Sequence, residues 1–192
     1  MINIIDNFLG QRVFDTVHQL LLNNTFNGVQ VGDKVFYIQE SNKSFDEYVL
    51  NKLSEIDGVK RKSLLSFFRV ATDELDTDWR VHADSKIGDV MPQMALVLYI
   101  SPSHMNGLHG TAFWKHKKMG YEMPLDTSDE EADRMLLEES NNLDNWELSS
   151  VVGYKPNRAV AYPANYFHSK YPNLGWKDGR MIYVIFYNKS YE

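Results

Sequence analysis

The chain contains no cysteine among its 192 residues. That absence excludes disulfides, thiolate zinc sites, iron–sulfur clusters and a cysteine nucleophile together. Any metal must therefore be held by His, Asp or Glu. Basic charge is also scarce: the net charge is −6, which argues against a nucleic-acid partner, since such binding depends on Lys and Arg neutralising phosphates. The clusters Lys60-Arg61-Lys62 and Lys115 to Lys118 are short and read as solvated faces. No stretch approaches the roughly 20 apolar residues needed to cross a bilayer, and Met1 to Gly10 is broken by Asn3, Asp6 and Asn7, unlike a secretory signal. A cytoplasmic location is expected. Internal repeats and low-complexity linkers are lacking as well, so residues 1–192 are expected to form one domain.

What is present has the balance of a globular protein, with 43% hydrophobic and 24% charged residues. From Phe8 to Leu21 apolar residues recur every three or four positions, predicting a helix that Asn23 and Asn24 end. Val35 to Ile38 reads as a short strand. A second helix is expected to open at Ser44, with Glu47 at capping-box spacing, and to close at Gly58. Residues 1–58 thus form a supporting region.

Beyond it the character changes. Ser63 to Val70, Met94 to Ile100, Val151 to Tyr154, Ala159 to Tyr162 and Met181 to Tyr187 are rich in β-branched and aromatic residues and read as strands. Several are apolar on both faces, which suits strands sandwiched between a second sheet and packed helices. A mainly β core over residues 60–189 with flanking helices follows. The segment Lys115 to Asn145 interrupts it with the acidic run Asp126 to Glu139, where Ser128 and Glu131 again have capping-box spacing, so it reads as a helical insertion.

A cysteine-free site that activates dioxygen needs two imidazoles and a carboxylate on one face of Fe(II), with other coordination positions open. His82-Ala83-Asp84 supplies one of each, and in an extended strand residues two apart project to the same side. In Tyr162 to His168 a strand ends at Pro163 and a histidine follows in an aromatic turn. The Gly-rich loop Asn173 to Gly179 then leads to Arg180 at the start of an apolar strand. A co-substrate such as 2-oxoglutarate, chelating iron through its keto acid end, leaves a distal carboxylate that a guanidinium binds with two parallel hydrogen bonds.

This ordered series resembles the 2-oxoglutarate/Fe(II) oxygenases, particularly their prolyl-4-hydroxylase-like branch. Ile4-Ile5-Asp6-Asn7-Phe8-Leu9 is similar to the branch's opening, and Gly110-Thr111-Ala112-Phe113 to its Gly-Gly-Glu-Thr-x-Phe turn, without the glutamate. Lys155-Pro156-Asn157-Arg158-Ala159-Val160 is similar to the hairpin before the distal-histidine strand, with Gly179-Arg180-Met181-Ile182 at the end. The resemblance implies a double-stranded β-helix, or jelly roll, of the cupin-like kind. It also implies a hydroxylase whose metal ligands and catalytic residues are His82, Asp84 and His168, with 2-oxoglutarate on Arg180, dioxygen as the second co-substrate, and succinate and carbon dioxide as products. Its substrate, a small molecule or a protein or peptide side chain, is not legible, and neither is the oligomeric state.

Other readings stay open. A jelly roll that binds without turnover and a cupin-like metalloenzyme without 2-oxoglutarate fit the same pattern. Tyr99, on a strand expected to line the barrel, either donates to the co-substrate or packs. His104, His109 and His116 surround a turn with no acidic residue at close spacing and read as a solvated loop. Trp114 and Trp146 flank the insertion as packing anchors or as parts of a lid.

Overall fold

The computed structural model describes residues 1–31, 34–75, 80–101, 109–172 and 179–190. Among them are ten strands: β1 (Asn3–Ile5), β2 (Asn27–Val31), β3 (Lys34–Glu40), β4 (Lys60–Ala71), β5 (Met94–Tyr99), β6 (Gly110–His116), β7 (Trp146–Gly153), β8 (Ala159–Pro163), β9 (His168–Tyr171) and β10 (Arg180–Ser190). Three α-helices accompany them: α1 (Gln11–Leu22), α2 (Lys43–Asp57) and α3 (Asp129–Glu138).

The strands form two antiparallel sheets. The larger has the order β1-β8-β5-β10-β4-β3-β2, the smaller β7-β6-β9. Consecutive residues of a strand face opposite ways, and the larger sheet uses both of its faces. On β10, Met181, Tyr183, Ile185 and Tyr187 join Phe14, Val17 and Leu21 of α1 and Val49, Leu50 and Leu53 of α2 in an outer core. Ile182 and Val184 point the other way, into a second core with Val97, Tyr99, Val160 and Tyr162, closed by Phe113 and Val152 of the smaller sheet. Each fully buried aliphatic or aromatic side chain contributes about 1.5–3 kcal/mol, so β5, β8 and β10 need apolar residues on both faces. The smaller sheet buries its outer face against the insertion, in a cluster containing Val81, Trp114, Met135, Trp146 and Phe167. The architecture is the expected mainly β jelly roll with flanking helices.

Several boundaries move for physical reasons. Helix α1 starts at Gln11, although Phe8 and Leu9 are buried. The Leu9 N–H donates to Asn157 Oδ1 and Asn157 Nδ2 donates back to the Leu9 carbonyl, each at 2.8 Å, holding this stretch outside the helix. Helix α2 is capped by Asn42, whose side chain accepts from the Phe45 N–H, rather than by Ser44. Gly58 does end it, in the left-handed region at φ 74° where glycine pays no Cβ penalty. Gly110 opens β6, not a turn, and a Cβ there would run into the Val152 carbonyl of β7. Helix α3 is capped by Ser128, which accepts from the Glu131 N–H as its spacing predicts. With β6 reaching His116 and β7 starting at Trp146, the insertion occupies 117–145.

Candidate metal centre

His82 and Asp84 lie not in a regular strand but in a short extended segment on the edge of the smaller sheet. His82 and His168 exchange backbone hydrogen bonds of 3.0 and 2.8 Å, and the Asp84 N–H donates to the Ala164 carbonyl at 2.9 Å. This pairing places the residues the spacing singled out beside the first residue of β9. Ligand atoms of His82, Asp84 and His168 all lie within 4.8 Å of one another, the only such His, Asp and Glu group among the described residues. The His82 and His168 ring centroids are 4.4 Å apart, and His168 Nε2 is 3.7 Å from Asp84 Oδ1.

The imidazoles are oriented by their own backbone. His82 Nδ1 lies 2.9 Å from the Arg80 carbonyl, and His168 Nδ1 2.9 Å from the Tyr166 carbonyl. A carbonyl only accepts, so in each neutral ring the proton sits on Nδ1 and the lone pair on Nε2, the arrangement a metal-binding histidine requires. Behind His168 stand Tyr162 at 4.8 Å and Phe113 at 6.5 Å between ring centroids.

Asp84 completes the cluster. Its side chain is 11% exposed, and its buried Oδ2 has no hydrogen-bond partner. Burial pushes its carboxyl up to about 7, with the His82 charge acting the other way. Burial pulls His168 down to about 4 against the Tyr166 carbonyl, and the positive charges of Arg180 and Arg69 add to the fall. A buried carboxylate oxygen without a donor is costly, and a divalent cation placed beside two neutral imidazoles removes that cost. The donor set therefore fits a metal ion, and two nitrogens with one carboxylate suit Fe(II).

Arg180 begins β10 opposite Ala71, two positions beyond the rung formed by Tyr99, Ile182 and Arg69. It is 6% exposed, its guanidinium lies 5.9 Å from the centre of the Tyr99 ring, and burial lowers its pKa. Tyr99 lines the barrel as expected, stacked on Tyr154 at 4.4 Å. Its hydroxyl donates to Thr111 Oγ1 at 2.8 Å, so a hydrogen bond to a co-substrate would have to replace that one.

The remaining expectations divide. His116 is not in a solvated loop: it is 1% exposed, and its Nε2 lies 2.9 Å from Glu139 Oε2, a partner 23 positions away that local spacing does not reveal. His104 lies outside the described residues, as do 173–178 of the Gly-rich loop. Trp114 and Trp146 are buried, with their indole N–H groups donating to Ser169 Oγ and the Glu139 carbonyl at 2.9 Å, as packing anchors do. Sequence reasoning also missed the clamp on the ligand segments. Ser140 Oγ donates to the Val81 carbonyl at 2.7 Å while the Val81 N–H donates to the Ser140 carbonyl at 3.4 Å. Met123 and Asn165 are doubly linked at 2.8 and 3.0 Å. A serine directly after the acidic run is all that the sequence shows of it.

Solved structures of the same fold include HygX from Streptomyces hygroscopicus with nickel, 2-oxoglutarate and hygromycin B bound. It is 12% identical, with a TM-score of 0.57 over 99% of this chain and 83% of HygX. A 2OG-Fe(II) oxygenase family oxidoreductase from Burkholderia pseudomallei is 9% identical at TM-score 0.55, over 97% of this chain and 85% of its own. A prolyl-4-hydroxylase from Pseudomonas putida is 8% identical at TM-score 0.52, over 98% and 92%. At these identities the likeness shows the fold, the jelly roll of the 2-oxoglutarate/Fe(II) oxygenases. No curated protein matches the chain in sequence. No helix among the described residues is long and apolar enough to cross a membrane. Residues 18–171, most of the chain, match a family of unknown function, DUF6445, and the chain belongs to that family.

Proposed function

We propose that the chain is a dioxygenase dependent on Fe(II) and 2-oxoglutarate that hydroxylates a C–H bond of a small-molecule or peptide substrate and releases succinate and carbon dioxide. The observation that carries this reading is the cluster of His82, Asp84 and His168, with ligand atoms within 4.8 Å of one another and both Nδ1 atoms turned to backbone carbonyls. These three residues would hold Fe(II). Bound there, the metal with 2-oxoglutarate and dioxygen supplies the oxidising chemistry, which belongs to the cofactor rather than to any side chain.

The chain's own residues do the rest. Arg180, buried at the start of β10, is the complement of a distal carboxylate, which a guanidinium fixes with two parallel hydrogen bonds. Val97, Val160, Ile182 and Val184 belong to the buried core between the two sheets, and such apolar surroundings would let this pairing act at low dielectric. The tethers at Arg80 and Tyr166 hold the two rings without cost at the moment of binding. Assignment to the prolyl-4-hydroxylase-like branch rests on the resemblance of the opening segment and of the hairpin before β8, which Asp6 ties together by pairing with Lys155 at 2.8 Å and Arg158 at 2.6 Å.

Titrating 2-oxoglutarate into anaerobic protein loaded with Fe(II) tests the reading. A metal-to-ligand charge-transfer band and one Fe(II) per chain are expected, with succinate formed when air is admitted. Metal uptake without the band would favour a metalloenzyme that does not use 2-oxoglutarate. Failure to take up Fe(II) would favour a binding protein.

A further inference from the structure

The insertion encloses space as well as covering the smaller sheet. Helix α3 stands across from the segment that follows Asp84, and between them lies a cavity of about 330 Å³. That is within the range of small-molecule sites. Asp84 and Asn165 line it, so it adjoins the residue read above as a metal ligand. The apolar part of its wall includes Met91, Met123, Met135 and Leu136. Methionines adapt to chains of varied shape, because the thioether is flexible and polarisable.

Charge sets the polarity of the occupant. Lys86 and Asp129, both lining the cavity, are paired at 2.8 Å and neutralise each other. Arg134 faces Glu131 at 3.8 Å. Asp133 also lines the cavity from its solvent-exposed side and forms no ion pair among the described residues. With Asp84 compensated by a metal ion, one carboxylate is left over, on a helix whose first turn already carries Asp129, Glu130 and Glu131. An anion would meet this side unfavourably, and an ammonium group would find a partner.

We propose that this cavity receives the substrate, and that the substrate is a small organic amine with an apolar body, its ammonium at Asp133 and its chain among the methionines toward Asp84. The identity of the occupant as substrate rests on the metal reading; its binding does not.

Hexylamine, hexanol and hexanoate, titrated calorimetrically into the full chain with and without Mn(II), test it. Hexylammonium is expected to bind about tenfold more tightly than hexanoate, since one charge is attracted and the other repelled. Asp133→Asn should weaken the amine about fivefold and leave hexanol unchanged. Ala132→Trp, which fills the cavity, should abolish amine binding while Mn(II) uptake stays at one per chain. Equal affinity for the amine and the acid, no binding of the amine, or amine binding that survives Ala132→Trp overturns the proposal. A chain that binds hexylammonium but takes up neither Mn(II) nor Fe(II) leaves the cavity in place and sinks the metal reading. One that takes up Fe(II) and 2-oxoglutarate but ignores the amine does the reverse.

Discussion

Two buried corners of the molecule use histidine in opposite ways. At the barrel mouth, His82 and His168 turn Nδ1 to carbonyl oxygens, which fixes the proton on Nδ1 and leaves Nε2 as a donor of its lone pair. Behind the smaller sheet, His116 Nδ1 accepts the N–H groups of Lys118 and Met119 at 3.3 and 3.2 Å, so the proton sits on Nε2 and goes to Glu139. The first pair is arranged for a cation and the second is satisfied by the protein itself. What decides between ligand and structural histidine is the backbone group at the other nitrogen, not burial or a nearby carboxylate, since both corners have those.

The most severe way to break the comparison is to remove one imidazole from each corner. His168→Ala should lose Fe(II) uptake entirely, measured by metal analysis, because two donors are too few to hold the ion. It should also cost about 2–4 kcal/mol in the stability of metal-free protein, since a buried ring packed on Tyr162 and the partner of the Tyr166 carbonyl are lost together. An alanine variant that still binds one Fe(II) per chain would remove His168 from the site.

Asp84 and His168 make a pH experiment with a defined sign. The Asp84 carboxyl stands at about 7 against an ordinary 3.8, so the folded metal-free chain holds that proton more tightly, and the contribution is lost as pH rises through this interval. His168 stands at about 4 against 6.5, so its contribution is present above 6.5 and lost as pH falls toward 4. Across the shared window the slopes oppose and largely cancel. Asp84→Asn removes one of them, and unfolding free energy of the metal-free variant should then rise by on the order of 3 kcal/mol from about pH 4 to 6.5. Denaturant titrations at fixed pH values read this directly, and a flat profile in the variant would contradict it. In the wild-type chain, Mn(II) affinity should fall about tenfold per pH unit below about 7, as the metal must displace the Asp84 proton.

Why was one corner legible in the sequence and the other not? His82-x-Asp84 announces itself because an extended backbone puts alternate residues on one side. The tethers are local too, each running to the carbonyl two residues upstream, Arg80 for His82 and Tyr166 for His168. His116 and Glu139 meet only because the insertion folds back, and no periodicity encodes that. The same distinction holds for the strands. β5, β8 and β10 carry apolar residues on both faces and stand out, whereas β2 is exposed along its whole length and leaves no burial pattern to read. β9 is four residues of mixed polarity whose place comes from pairing with β6.

His116→Ala sharpens the comparison from the structural side. It strips Glu139 of its partner and opens space beside Trp146, whose ring lies 4.8 Å from the imidazole. A loss of about 2–4 kcal/mol in unfolding free energy is expected, with Fe(II) stoichiometry retained. Loss of metal without loss of stability would mean that the two corners are not separate in kind.

Ser140→Ala is the mildest change and tests whether the insertion reaches the metal at all. The residue is 1% exposed and hydrogen-bonds to neither imidazole, yet its hydroxyl holds the Val81 carbonyl immediately before His82. Removing it leaves one buried acceptor unsatisfied, a cost of about 1 kcal/mol that any structural hydrogen bond would share. The distinguishing readout is the d–d spectrum and affinity of Co(II) substituted into the protein. If Ser140 positions His82, Co(II) affinity should fall about tenfold with a shifted spectrum, in the manner of a group that orients a ligand from behind. If it serves the fold alone, the spectrum stays as in the wild type and only the melting temperature moves, and the insertion then acts on the site through its cavity rather than through this clamp.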